Sequence, residues 1–399
     1  MLCAWVAPSR AQEGIEPAAP SGTPPAAVAP ALSEPPPSAD AAKASQEPSK
    51  GKQKQKKGDV GGARSDDDFD ATMAAPMTVG ARLIAGFEHE SERSAGGQTD
   101  PAQKEYGFSV RQIRLRVKGE LAELFRVNVS FDLSDALEPE TGASYDQPPY
   151  LRTATLEYRP SRELRLQVGR FKRPFSHLEL ESASDLPILR RGLFNGLALE
   201  DNQWGDRAIG VMASGRLKEP KLRWYLSLTN PSWSPTLPTE GVDVMGRVEW
   251  TLVKGFVLGA NVAYKHVTIG NEELDDVGYG GDVTLKLGDA HLLLESNDVA
   301  LPFETGRPRG RGVLFMFDYE LGLGSSVALQ PVFFAEYADA NTEVSQNESM
   351  RLVLGVNLLA NSGFRVMPQF EIVRSIGDTS AANPWLESET LSLMFSLVL

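Results

Sequence analysis

From about residue 78 to the C-terminus, segments of about ten residues alternate apolar and polar side chains and are separated by turn-rich stretches. In Phe125-Arg126-Val127-Asn128-Val129-Ser130-Phe131-Asp132-Leu133 every odd position is apolar and every even one polar. The preceding segment sets Ile113, Leu115 and Val117 against Gln112, Arg114, Arg116 and Lys118. Further on, Leu222, Trp224, Leu226 and Leu228 oppose Arg223, Tyr225, Ser227 and Thr229. Then Val244, Val248, Trp250 and Leu252 oppose Arg247, Glu249 and Thr251. Successive side chains leave a strand on opposite faces, so a period of two puts one row on each face of a sheet. Sixteen candidate strands follow, beginning near residues 79, 108, 123, 150, 162, 206, 220, 243, 255, 277, 289, 311, 326, 349, 363 and 388.

A soluble sandwich and a membrane barrel share this pattern, with water on one polar face or with lipid outside and water within. Three features favour the barrel. Many segments reach ten residues or more, enough for a tilted bilayer crossing and longer than the ~5–6 residues of an ordinary strand. Aromatic residues recur near the ends of the apolar rows, at Tyr150, Tyr158, Trp250, Tyr264, Tyr319 and Tyr337, where an interfacial girdle belongs. The last segment keeps alternating through Leu391, Leu393, Phe395, Leu397 and Leu399, as outer-membrane proteins do, although a terminal aromatic is the commoner ending. Closure also removes the exposed edges that so many long strands would otherwise leave. The predicted fold is a transmembrane antiparallel β-barrel of about sixteen strands over residues 79–399, wide enough for an aqueous lumen.

The N-terminal part reads differently. Leu2 to Ala7 is short and apolar, and Ser9-Arg10-Ala11 sets small residues at −3 and −1 of a cleavage site before Gln12, although a basic start is missing. Residues 1–11 therefore read as the remnant of a signal peptide, or else as an apolar start without meaning. Residues 12–72 are rich in Ala, Pro, Ser, Lys and Gly and nearly devoid of large apolar side chains, so disorder is expected. The run Lys50, Lys52, Lys54, Lys56, Lys57 suits a solvated periplasmic linker, with an anionic polymer as the other reading. Composition narrows the picture only a little. No apolar run reaches the 18 residues of a membrane helix. One cysteine, Cys3, leaves no disulfide framework, and a net charge of −13 argues against nucleic acid as a partner.

Arg111-Gln112-Ile113-Arg114-Leu115-Arg116-Val117-Lys118-Gly119-Glu120-Leu121, continuing from Phe125 to Asp132, resembles the second and third strands of the phosphate-selective porin O and P family. Leu156-Glu157-Tyr158 followed by Leu166-Gln167-Val168-Gly169-Arg170-Phe171-Lys172-Arg173-Pro174-Phe175-Ser176 resembles it too, and its Gly-x-Phe-Lys-x-Pro-Phe-Ser block is the most specific signature. Gln330-Pro331-Val332-Phe333 and Leu354-Gly355-Val356-Asn357 are similar to later family strands. The resemblance implies a sixteen-stranded barrel in outer-membrane lipid, homotrimers, a lumen for small anionic solutes, and a loop after Ser176 that folds inward to narrow the pore.

The residues support that loop on their own. Between Pro174 and Gly205 the alternation lapses for 32 residues, too long for a hairpin connection. Leu178, Leu180, Leu186, Ile188, Leu189, Leu193, Phe194, Leu197 and Leu199 make it too apolar to stand free in water. Packing on the inner wall, or an external loop folded on itself or at a subunit contact, would accommodate them.

A cationic lining attracts anions, and family members concentrate basic residues there. Arg114, Arg116, Lys118 and Arg126 fall on the polar phase, with Arg159 and Arg165 on the next two strands. Lys172 and Arg173 stand where the loop begins, and Arg190 and Arg191 are its only other cations. These ten are the candidate pore-lining, anion-binding residues. Balanced lumen charge is the competing reading, since Glu179, Glu181, Asp185, Glu200 and Asp201 share the loop. No cofactor or metal is expected, because no Gly-rich phosphate loop, HExxH pattern or Cys/His spacing occurs. His89, His177, His266 and His291 are scattered, which speaks against a hydrolase. The rival to a conducting channel is a structural barrel or adhesin.

Overall fold

The structure is a computed structural model and describes residues 77–93, 103–122, 124–134, 151–231, 240–269, 272–302, 304, 306–360, 363–376 and 387–399. The expected signal peptide, the 12–72 tail and Tyr150 lie outside the described residues.

Sixteen strands follow one another in the sheet: β1 (Met77–Arg93), β2 (Gln103–Ala122), β3 (Phe125–Asp132), β4 (Leu151–Tyr158), β5 (Arg165–Lys172), β6 (Arg207–Leu217), β7 (Leu222–Thr229) and β8 (Gly241–Val253), then β9 (Phe256–Ile269), β10 (Glu272–Leu287), β11 (Ala290–Ala300), β12 (Arg309–Tyr319), β13 (Val327–Asp339), β14 (Glu348–Ala360), β15 (Phe364–Ile376) and β16 (Glu387–Val398). A two-residue piece, Leu321–Gly322, continues β12 along β13 beyond Glu320. Every neighbouring pair is antiparallel, and β1 pairs with both β2 and β16, so the sheet closes on itself. Each strand begins within five residues of its sequence-based position.

One end of the barrel carries short turns, such as the one from Leu217 to Leu222, and the other carries the long connections, including that from Lys172 to Arg207. In outer-membrane barrels the short-turn end is periplasmic. The facing of the rows agrees with the alternation. Val248 is 44% exposed and Leu354 55%, whereas their neighbours Arg247 and Val353 are each 1% exposed. Directly paired residues share a face, so Leu83 with Ile113 and Leu115 with Phe131 form outward apolar rows. Trp250, Tyr264 and Tyr337 are exposed on the same outer surface.

The inner face is polar except on one side. Leu293, Leu314, Met316, Val332, Phe334 and Val353 point inward from β11 to β14 and are buried. Here both phases of the strands are apolar, as in Val313-Leu314-Phe315-Met316-Phe317. Such a patch in a water-filled lumen needs a cover, and the 174–205 loop supplies it.

Candidate pore and constriction loop

The loop enters the barrel and lies against β8 to β16. Leu178, Leu186 and Ile188 pack on the inward apolar patch. Phe175, Phe194, Leu197, Ala198, Leu199 and Trp204 bury against Met245, Ala263, Val299, Leu301 and Ala338. At about 1.5–3 kcal/mol for each large apolar side chain removed from water, this burial offsets much of the cost of ordering the loop, which is about 1–2 kcal/mol per residue. Two glycines make the approach possible. A Cβ at Gly312 would meet the ring of Phe194, and one at Gly192 would meet the Glu336 carboxylate.

Polar groups fix the loop as firmly as apolar ones. Its two short helical pieces are α1 (His177–Leu180) and a π-helical segment, Asn195–Asp201. At the start of α1 the Glu295 carboxylate accepts from the His177 and Leu178 amides at 3.2 and 2.9 Å. Just before the second piece Glu336 accepts from the Leu193 and Phe194 amides at 2.8 and 3.0 Å. A wall carboxylate at exposed helical N–H groups meets both their unpaired donors and the positive end of the dipole. Between these points Arg351 donates to the carbonyls of Arg190 and Arg191 at 3.2 and 2.9 Å, while Asn357 and Gln369 both donate to Pro187 O at 2.8 Å.

The loop's acids are mostly engaged. Glu179, 1% exposed, lies 3.3 Å from Arg191 and 3.6 Å from Lys172. Burial pushes its carboxyl up, but Arg191 and Lys172 outweigh burial and hold it below the usual range. His177 Nε2 is 3.3 Å from Glu181, and its Nδ1 is 3.6 Å from Asp282. Burial disfavours the imidazolium, yet the Glu181 hydrogen bond and both carboxylates raise its pKa to about 9. Asp185 lies within electrostatic reach of Arg82 and Arg365.

The ten basic candidates separate into groups. Arg114, Arg116, Lys118 and Arg126 are on β2 and β3, with Arg114 at 2.9 Å from Asp132 and Arg126 at 2.8 Å from Glu120. Arg159 and Arg165 share Glu157 toward the short-turn end. Lys172 donates to Glu179 and Glu181 carbonyls beneath the loop. Arg190 lies 3.7 and 3.8 Å from Glu88 and Glu90, and Arg191 is held by Glu179. Arg173 requires a correction. It has no exposed surface and touches no pore water; instead it lies 3.4 Å from Asp243 and donates to Gln203, Asn230 and Pro231 carbonyls, tying both ends of the loop to β7 and β8. A guanidinium with five donors suits such a many-partnered anchor.

Three arginines outside the ten complete a basic wall on β1 to β6. Arg82 is paired in register with Arg114 and donates to Ala183 O at 2.6 Å. Arg207, 5% exposed, lies 3.2 Å from Asp206 and 3.3 Å from Thr153 Oγ1. Arg152 is the extra residue where β4 slips against β3, between the partners of Ser130 and Phe131. Bulges re-aim side chains in this way. Arg152 stands within electrostatic reach of Arg114, Asp132, Arg207 and Glu200, and its Nε is buried without a hydrogen bond among the described residues. Arg82 was readable from its polar phase. Arg152 was not, because a bulge erases the phase, and Arg207 was not, because it continues the apolar row of Ile209 and Val211.

A closed barrel with an apolar outer surface, charged inner walls and an inward loop is an outer-membrane porin, a channel of the Gram-negative envelope. Residues 93–291, half of the chain, match the family described as phosphate-selective porin O and P, and the chain belongs to that family. Its fold is also that of solved porins. The anion-selective porin from Comamonas acidovorans aligns with a TM-score of 0.56 at 10% identity, covering 81% of this chain and 99% of that one. Salmonella typhi OmpF, solved in complex with daunomycin, gives 0.56 at 11% identity over 80% and 97%. The outer-membrane channel DcaP of Acinetobacter baumannii gives 0.55 at 9% identity over 81% and 97%. No curated protein matches the sequence.

Proposed function

We propose that the channel passes small solutes by passive diffusion with a preference for anions, and that the wall of Arg82, Arg114, Arg116, Arg152 and Arg207 sets that preference. The observation that carries this reading is the uneven neutralisation of the two sides. On the loop, Glu179 and Glu181 are matched by Lys172, Arg191 and His177, while Glu200 and Asp201 make no ion pair among the described residues. On the wall, Asp132 and Asp206 answer Arg114 and Arg207, while Arg116 and Arg152 have no ion pair among the described residues. Unmatched guanidinium groups in a narrow, low-dielectric passage concentrate anions. Charge on Arg190 and Arg191 contributes less, since each already faces carboxylates.

Assembly as a homotrimer is part of this proposal, supported by the family resemblance and by the trimer form described for OmpT of Vibrio cholerae. Diffusion through such a pore calls for no catalysis and no cofactor. The test is the reversal potential of the Arg114→Ala/Arg152→Ala variant in a salt gradient. A shift toward cations supports the reading; an unchanged potential removes these arginines from the ion path.

A further inference from the structure

We propose that Glu200 tunes the ion preference of this channel through its own proton, neutral in acid and charged in base. The inference deepens the anion-channel reading and rests on it for the position of the ion path. Glu200 is on the π-helical segment of the constriction loop and is exposed, although it lies inside the barrel. Its carboxylate and that of Glu179 share one donor, the Asn195 amide, at 3.3 Å each. Glu179 has two cations beside it, Arg191 and Lys172. Glu200 makes no ion pair among the described residues.

The charged and titratable groups around Glu200 come from three directions. Glu179 on α1 and Asp206 at the loop's end repel its negative form, while Arg191 on the loop and Arg152 on β4 attract it from beyond ion-pair distance. Two carboxyls sharing one amide donor, with cations beside only one of them, cannot both ionise at the ordinary carboxylate pH. Enclosure within the barrel, followed by the Glu179 and Asp206 charges, raises the Glu200 carboxyl to about 7. It is therefore a loop carboxyl that changes charge near neutrality. His177 stays protonated there, with its pKa at about 9. Because Arg152 faces it, each ionisation of Glu200 cancels part of the wall's pull on anions. One charge about 6 Å from an ion in water changes local anion and cation levels about threefold in opposite directions, which moves their permeability ratio about tenfold.

The test is the reversal potential of the purified full-length protein in planar bilayers under a potassium chloride gradient, stepped from pH 5 to pH 9. The anion-to-cation permeability ratio should fall several-fold as pH rises, with a midpoint near 7. Glu200→Gln should hold the acid-side ratio at every pH. Glu179→Gln, which removes a repelling charge, should move the midpoint to lower pH, and this second variant decides the matter if the first does not assemble. A ratio independent of pH in the unmodified channel, or one that titrates equally in Glu200→Gln, overturns the inference and leaves the anion reading intact. A channel that is cation-selective throughout, yet still titrates through Glu200, overturns the anion reading and supports the role of Glu200.

Discussion

Replacing Gly312 by alanine tests how the loop is seated. A methyl at this position would fall 2.4 Å from Phe194 Cδ1, 2.6 Å from Cγ and 2.8 Å from Cβ. Comfortable carbon contacts lie at about 3.5–4.0 Å, so a displacement of about 1 Å is needed. The Phe194 Cβ is among the atoms struck, so turning the ring cannot relieve the contact; the loop backbone must retreat, or β12 must bend. Overpacking of this kind costs about 1–3 kcal/mol, and complete loss of a buried Phe seat about 3–5 kcal/mol. The opposing gain, from stiffening a glycine within a strand, is only about 0.5–1 kcal/mol. Packing therefore wins, and the cost falls on the loop, because the β12 ladders to β11 and β13 are untouched. The variant should keep the heat-modifiable mobility of a folded barrel while its loop becomes more accessible to protease and its single-channel conductance changes. A loop as protected as before, in a barrel that melts higher, would refute the seating of Phe194 on Gly312.

Three further outcomes follow from the same geometry. Val127→Arg should cost roughly 2–4 kcal/mol if the site is near mid-bilayer, whereas Asn128→Arg, on the lumen side, should cost far less; equal penalties in folding titrations into vesicles would contradict the register. The imidazolium of His177 has its pKa raised from 6.5 to about 9, so its contribution to loop docking is complete below about pH 6.5 and is lost as pH rises through 9. Loop proteolysis should accelerate between pH 7 and pH 10, and His177→Gln should abolish that dependence. A chain with a working signal that begins at Met77 should assemble into a heat-modifiable barrel; its failure beside an assembling full-length chain would make the preceding residues structural.

The barrel was legible because period-two alternation is a local property. Lipid outside and water inside impose the same parity on β3, β7 and β8, and a one-residue slip would turn every row over. The loop announced itself by the loss of parity between Pro174 and Gly205. The doubled apolar phases of β12 and β13 are the matching signal on the wall, and they mark where the loop docks. Charge was harder to read. The loop's five carboxylates made balanced lumen charge the competing reading, and the pairing of Glu179 and Glu181 with Lys172, Arg191 and His177 is a set of contacts that only folding creates. Arg173 looked like a pore residue next to Lys172, and its contact with Asp243, 70 positions along the chain, could not be inferred from the sequence around it.

Whether the arginine wall makes this an anion-preferring channel is decided by the reversal potential of the unmodified protein in a planar bilayer at pH 6 under a tenfold potassium chloride gradient. Discrete conducting steps and a potential of the sign set by chloride are expected. Absence of conductance would make this a closed structural barrel, and a potential set by potassium would show that the carboxylates, rather than the arginine wall, govern the pore.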